Sequence, residues 1–257
     1  MQSIVRQDMQ SIVLTIGLLL VSIIPASQGQ DSPGPGIFAL RTMLQDRDSE
    51  IRIKAAEGLG RVGGRESVMI LRQGLADKNL EVRVAVVKAL GFIGGRLAIT
   101  VLSEALKDKQ SGVRMRAVEA LKDAGTVSSI PVIQKAFGDK EESVRLHAAL
   151  MLRKIGHRSA VPVLGRIVQT DKSPAVRAAA AMHLGKVGVK NPQAVAILAK
   201  GLEDKDKTVR IRAIESLGFL QLRQVIPVLE KALEDSDPGV RIRATEVMGH
   251  VLAQDFE

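Results

Sequence analysis

Cysteine, tyrosine and tryptophan are absent from this 257-residue chain, and its only aromatic residues are five phenylalanines. Without thiols it can form no disulfide, offer no thiolate to a metal and hold no cysteine nucleophile. With so few large rings the interior must be built from Ala, Val, Ile and Leu, and 46% hydrophobic content is ample for a core. Small aliphatic side chains suit closely spaced helices better than a sandwich or an enzyme barrel. Histidine is scarce too: His147, His157, His183 and His250 include no pair at four-residue spacing. Neither a nucleotide-cradling glycine loop nor a nucleophile elbow occurs. These residues therefore suggest no catalytic group, no cofactor site and no metal site.

One long hydrophobic run stands apart from the rest. After Arg6 and Asp8, residues 12–24 are apolar except for Thr15, Gly17 and Ser22, and Pro25-Ala26-Ser27-Gln28-Gly29 follows. The pattern reads as a secretory signal peptide over residues 1–29, with small Ser27 and Gly29 suited to cleavage after Gly29. A helix over this run would rise only about 20 Å against a hydrocarbon core of about 30 Å, so a membrane span is the weaker reading. An uncleaved anchor is one alternative. Another is a start at Met9, because Met1–Val5 recurs as Met9–Val13. The expectation is export to a periplasm or medium, with membrane contact only through an uncleaved N-terminal segment; an unused signal would leave the chain cytoplasmic or anchored. Residues 30–36, rich in Pro and Gly, read as a flexible spacer, and the folded domain is expected over residues 37–257.

An Asp stands six residues before an Arg seven times. The pairs are Asp46 and Arg52, Asp77 and Arg83, Asp108 and Arg114, Asp139 and Arg145, Asp171 and Arg177, Asp204 and Arg210, and Asp235 and Arg241. The Arg recurs every 31 to 33 residues, so the six-residue offset survives where the period slips. Such a repeat decides the architecture.

Each repeat reads as a helical hairpin. The first helix carries an apolar stripe, as in residues 130–137 and 226–233, with Pro131 and Pro227 in a first turn where no intrahelical donor is lost. A turn with the repeated Asp follows, then a capping position occupied by Asp48, Asn79, Gln110, Glu141, Ser173, Asp206 and Asp237. In the second helix the buried face lies one before, three after and seven after the Arg, for example Val82, Val86 and Leu90, or Val144, Ala148 and Leu152. Glycines such as Gly60, Gly91, Gly185, Gly218 and Gly249 lie near the helix end, and Gly63, Gly94 and Gly156 are available for the reversal. Two helices per repeat give fourteen in all. The fifth repeat has an extra residue near Gln169-Thr170 and a longer loop at 188–193, read either as a bend in the superhelix or as neutral drift.

Asp and Arg six apart, Val before the Arg, Ala three after and Leu seven after resemble HEAT repeats, and the short period resembles the HEAT-like repeats named after phycobilisome lyases. The resemblance covers about residues 37–253. It implies an all-α fold, a right-handed α-solenoid of about seven HEAT-like helical hairpins, in which the Asp and Arg form a ladder of hydrogen bonds linking successive turns. Its known members include scaffolds, adaptors, bilin lyase subunits, nucleic-acid binders and a metal-dependent hydroxylase. The His-Glu dipeptides of the deoxyhypusine hydroxylase relatives do not occur here, which argues against a di-iron site.

Function in a solenoid usually resides on the concave face, which helical geometry assigns to the second-helix positions two, five and nine after the Arg. Most of this row is charged and mixed in sign. The fourth and fifth repeats instead carry Leu150 and Met182, beside His147, Lys154 and Lys186, with Phe92 and Phe219 at a distance and Arg116 and Arg212 in neighbouring repeats. An apolar patch within a polar groove points to a protein or peptide partner; the alternative is that both residues are core. Residues 1–29 lose one Arg and one Asp together, so the mature domain keeps the net charge of +9 and an acidic partner or anionic polymer fits. Nucleic acid is disfavoured, because base stacking has only scattered Phe to use and export would separate the two. The first expectation is thus a non-catalytic exported scaffold; a bilin-lyase-like enzyme subunit or hydroxylase relative and a basic nucleic-acid binder are the alternatives.

Overall fold

The computed structural model describes residues 35–125 and 127–253. The signal peptide expected over residues 1–29, most of the spacer, and Phe256 and Glu257 lie outside the described residues. Among those described are fourteen α-helices, three short 3-10 segments and no strand. They pair into seven hairpins: α1 (Pro35–Met43) with α2 (Ser49–Val62), α3 (Gly64–Gly74) with α4 (Leu80–Ile93), α5 (Gly95–Ala105) with α6 (Ser111–Ala124), α7 (Ile130–Ile133) with α8 (Glu142–Ile155), α9 (Ala160–Thr170) with α10 (Pro174–Val187), α11 (Pro192–Gly201) with α12 (Lys207–Gly218), and α13 (Ile226–Ala232) with α14 (Pro238–Leu252). The chain divides at Ala124 into two compact units, the first holding hairpins one to three and the second hairpins four to seven. Within each unit the hairpins stack as a run of α-solenoid, with α2 against α4 and α4 against α6 in the first, and α8 against α10, α10 against α12 and α12 against α14 in the second.

The core follows the expected stripe. Val82, Val113, Val144, Val176, Val209 and Val240 are fully buried, as are all seven residues three after the Arg, from Ala55 to Ala244. Small side chains at that middle position bring neighbouring helices together. The stripe weakens at the two ends, where Ile51 and Met248 are only partly covered. A hairpin hides one apolar face against its own partner helix and the other against the next hairpin, so packing is shared between neighbours throughout a unit.

Capping is mixed. Asp48, Asn79, Asp206 and Asp237 accept backbone N–H groups from the first turn of their helices. Glu141 and Ser173 occupy the N-cap position in extended backbone but make no side-chain cap bond. Instead Asp139 and Asp171 accept the N–H of those two residues at 2.9 Å, an arrangement that the repeated Asp uses in other hairpins as well. At Gly94, φ is +67°, and a Cβ there would lie 2.9 Å from the Ala124 carbonyl oxygen, so only glycine suits this reversal.

Three expectations are corrected. The first helix begins at Pro35, two residues before the expected start of the folded domain, because Pro fits a first helical turn. The stretch 130–137 is not one α-helix: α7 has a single turn and passes into a 3-10 segment, Gln134–Gly138. The extra residue of the fifth repeat does not enlarge the turn but is absorbed into α9, which runs on to Thr170. The longer loop after α10 is tied to the following hairpin by Lys190 N–H donating to Leu220 O at 2.8 Å.

Candidate functional site

The recurring Asp and Arg explain their own spacing. In hairpin one Arg52 Nη1 donates back to the Asp46 carbonyl oxygen at 2.8 Å, a contact that only a residue one turn into the helix can make. Its other edge reaches forward to the next hairpin, Nε to Asp77 Oδ2 at 2.6 Å and Nη2 to Asp77 Oδ1 at 3.0 Å. Asp77 thus lends its carbonyl to its own Arg83 and its carboxylate to the preceding Arg52. The same two-edged fork joins Arg83 to Asp108 in the first unit, and Arg145 to Asp171, Arg177 to Asp204 and Arg210 to Asp235 in the second. Where the period lengthens, the pair survives at separations of 26 and 27 residues instead of 25. Arg114 Nη1 donates to Asp108 O at 2.9 Å. Among the described residues Arg241 donates only to the carbonyls of Asp235 and Ser236, and it is exposed.

Buried charge needs this geometry. Arg52, Arg83, Arg145 and Arg177 are all buried, and planar bidentate pairing matches the guanidinium fork to a carboxylate. Burial acts to raise the Asp77 and Asp204 carboxyls. The side-chain hydrogen bonds from Arg52 and Arg177, with a backbone N–H at each, outweigh it and leave both below the usual carboxylate range. The Arg210 hydrogen bond is the main cause of the same lowering at Asp235. Where the fork is closed on both edges, Arg and Asp saturate each other and join successive hairpins.

Apart from Ala85, the second-helix row two, five and nine after the Arg is at least partly exposed. In four of seven hairpins it is filled by a cation and a glutamate one turn apart: Lys54 with Glu57, Arg116 with Glu119, Arg212 with Glu215 and Arg243 with Glu246. Glu215 also takes Arg243 of the next helix at 3.2 Å. The pairing fails in hairpins two, four and five.

In the first unit the gap is a cleft of about 450 Å3 between α2 and α4. Ile53, Val84 and Ala89 contribute apolar surface and Phe92, 77% exposed, forms one wall. Ala85, assigned to the exposed row, is instead buried at its base. The sequence reading noticed Phe92 but missed this cleft, since Ile53 and Val84 belong to different repeats.

In the second unit the gap is carried by α8 and α10. Met182 is 37% exposed and Leu150 partly exposed, so neither is core. Lys154 and Lys186 stand one turn further on and are exposed, while His147 lies one turn back and is half-covered. Lys186 Nζ sits 3.3 Å from the centroid of the Phe219 ring, which ties the end of α10 to the end of α12. Arg212 begins the next, ion-paired stretch. Of the nine residues expected on this face, Phe92 and Arg116 belong to the first unit and His147, Leu150, Lys154, Met182, Lys186, Arg212 and Phe219 to the second.

His183, on the inner side of α10, is buried and its Nδ1 has no hydrogen-bond partner among the described residues. Burial, with the charge of Arg153 on α8 adding to it, pushes the imidazole down to about 4. Among the described residues no cluster of three or more His, Asp or Glu could hold a metal ion, and no helix is long and apolar enough to cross a membrane.

Stacked all-α hairpins of about 31 residues with a two-edged Asp/Arg joint define a helical-repeat protein. The chain belongs to the HEAT repeat family, whose description matches residues 38–122, 99–185, 129–206 and 167–249. No curated protein matches it in sequence. Among solved structures a Kap121p mutant is similar to it at 14% identity, covering 87% of this chain and 30% of that one with a TM-score of 0.59. The CpcE–CpcF complex of phycocyanin lyase from Nostoc sp. PCC7120 is similar at 21% identity, over 89% of this chain and 99% of that one, with a TM-score of 0.44. Human deoxyhypusine hydroxylase in complex with glycerol is similar at 17% identity, over 85% and 96%, with a TM-score of 0.44. The Kap121p likeness is one of fold alone, and the two lower scores carry no argument about activity.

Proposed function

We propose that this HEAT-repeat protein is an exported, non-catalytic scaffold that holds a polypeptide partner on its second-helix face. The observation that carries this reading is the break in the row of ion pairs at hairpins four and five, where Leu150 is partly exposed and Met182 exposed. In hairpins one, three, six and seven the row is closed by its own Lys or Arg and Glu, and a closed pair offers a partner little. Exposed methionine and leucine side chains beside unpaired lysines present apolar surface that a polypeptide can cover, and methionine adapts its shape to what it meets. Export is supported by the apolar run at 12–24 and the small residues before Gln30.

The test joins both parts. Cells expressing the C-terminally tagged chain are fractionated, and the partner is captured from the fraction that contains the tag. Recovery in the periplasm or medium is expected; retention in the cytoplasm rules out export. The variant Leu150→Asp with Met182→Asp should lose the captured polypeptide while keeping the helical circular dichroism and melting temperature of the parent. Unchanged capture would reject this face.

A further inference from the structure

The charge of this chain is not spread along it. Residues 143–202 contain ten Lys and Arg against one acidic residue, Asp171, so they hold the entire formal excess of +9 and the rest of the chain balances. Asp171 is occupied by Arg145, and Arg177 reaches forward to Asp204. The other eight cations are exposed, and none has a carboxylate partner among the described residues. Five of them, Arg153, Lys154, Arg158, Lys186 and Lys190, gather where α8 and α10 end and the chain turns into the next hairpin.

These ends adjoin: α8 packs against α10, and Lys186 of α10 lies over Phe219 past α12. A cation in the last turn complements the helix dipole, which would account for one at each end. It does not account for the missing acids: Arg61, at the end of α2, lies 4.0 Å from Glu57 of the same row, whereas α10 contains no acidic residue and the one in α8, Glu142, is at the opposite end. One turn back from Lys154 and Lys186 on the same row stand Leu150 and Met182.

We infer that the edge formed by α8, α10 and Phe219 receives an acidic segment of the partner polypeptide, its apolar side chains on Leu150 and Met182 and its carboxylates at Lys154 and Lys186. This rests on the polypeptide-binding reading above and adds the chemistry of the partner. Spacing refines it. Equivalent positions on packed neighbouring helices lie about 8–10 Å apart, and a polyproline II segment returns every third side chain to one face after about 9 Å. A carboxylate at every third residue therefore meets Lys154 and then Lys186. A nucleic acid would satisfy the lysines but leave Leu150 and Met182 without an apolar counterpart, and the one ring at this edge, Phe219, already lies under Lys186.

The full chain is titrated by fluorescence anisotropy with a labelled peptide of Glu-Leu-Pro repeats, the same peptide with Gln for Glu, and a single-stranded oligothymidylate, each at low and high salt. The Glu peptide should bind about tenfold more tightly than the Gln peptide, and added salt should narrow that gap. Lys154→Glu with Lys186→Glu should weaken the Glu peptide about tenfold without changing the melting temperature, whereas Lys107→Glu, on a turn of the first unit, should leave it unchanged. Equal binding of the Glu and Gln peptides overturns the acidic inference and leaves the polypeptide reading intact. Binding of the oligothymidylate with neither peptide bound overturns both.

Discussion

Arg145 is held from two directions. Nη1 donates to the Asp139 and Lys140 carbonyls at 3.0 and 3.3 Å, while Nε and Nη2 donate to Asp171 at 2.9 and 3.1 Å. Both side chains of this pair are almost wholly out of solvent, at 3% and 4% exposure. Removing one member leaves the other charge buried without its counterion, a loss of about 3–5 kcal/mol. Arg241 occupies the same repeat position but is exposed and reaches no carboxylate among the described residues. Chemical denaturation followed by circular dichroism should therefore show Arg145→Ala losing several kcal/mol and Arg241→Ala about 1 or less. Equal losses would mean that the fork between hairpins contributes nothing beyond its backbone contacts. The sequence disclosed both charges and their offset. It did not disclose that each Arg side chain takes the carboxylate of the following repeat and only the carbonyl of its own, because that partner lies 25 to 27 residues away.

Neighbouring second helices approach through glycine. A Cβ on Gly91 of α4 would lie 2.8 Å from the Ala120 Cβ and 3.0 Å from its Cα on α6, and Gly60 and Gly185 face Ala89 and Ser216 in the same way. In sequence these glycines mark helix ends; three-dimensionally they are contact points. Alanine raises intrinsic helix propensity by about 1 kcal/mol, yet at Gly91 the obstructing atoms include backbone, which cannot rotate aside. Overpacking of that kind costs about 1–3 kcal/mol, so Gly91→Ala should lower the melting temperature. Gly249 is the matching position of α14, and a Cβ there meets nothing within 4 Å among the described residues. Gly249→Ala should raise the melting temperature, which makes the two a direct comparison of propensity with packing. A rise in both would show that α4 and α6 can separate without loss.

Stability against pH belongs to the whole molecule, because it sums every group whose proton affinity changes on folding. His183 has a folded pKa of about 4, below its ordinary 6.5, so the unfolded chain takes the proton first. Its contribution is complete above about pH 6.5, is lost as the pH falls from there towards about 4, and amounts to something on the order of 3 kcal/mol. Asp77, Asp204 and Asp235 are lowered from 3.8, so what they contribute is present above that value and is lost only as the pH falls further. Two successive losses are expected on acidification. His183→Ala, which installs the residue found at the matching positions Ala89 and Ala120, should flatten the first and leave the second. A first loss that persists in this variant would place the titrating group elsewhere.

The amino-acid order alone determined the helices, their pairing into hairpins, the buried stripe from Val82 to Leu90 and its counterparts, and the outward row that includes Leu150 and Met182. All of these follow from periodicity within one helix, which is local and readable residue by residue. Only the tertiary structure decided which carboxylate an Arg takes, why Gly91 cannot carry a side chain, that His183 is buried where two other repeats have Ala, and that Ile53 and Val84 of separate repeats share one cleft. It also showed that the cations at the ends of α8 and α10 have no acidic partner among the described residues, whereas the outward rows of hairpins one, three, six and seven each pair a cation with a glutamate. The physical reason is the same each time: these are contacts between hairpins, made across 25 or more residues of chain, and no pattern inside a single helix records what the next one presents to it.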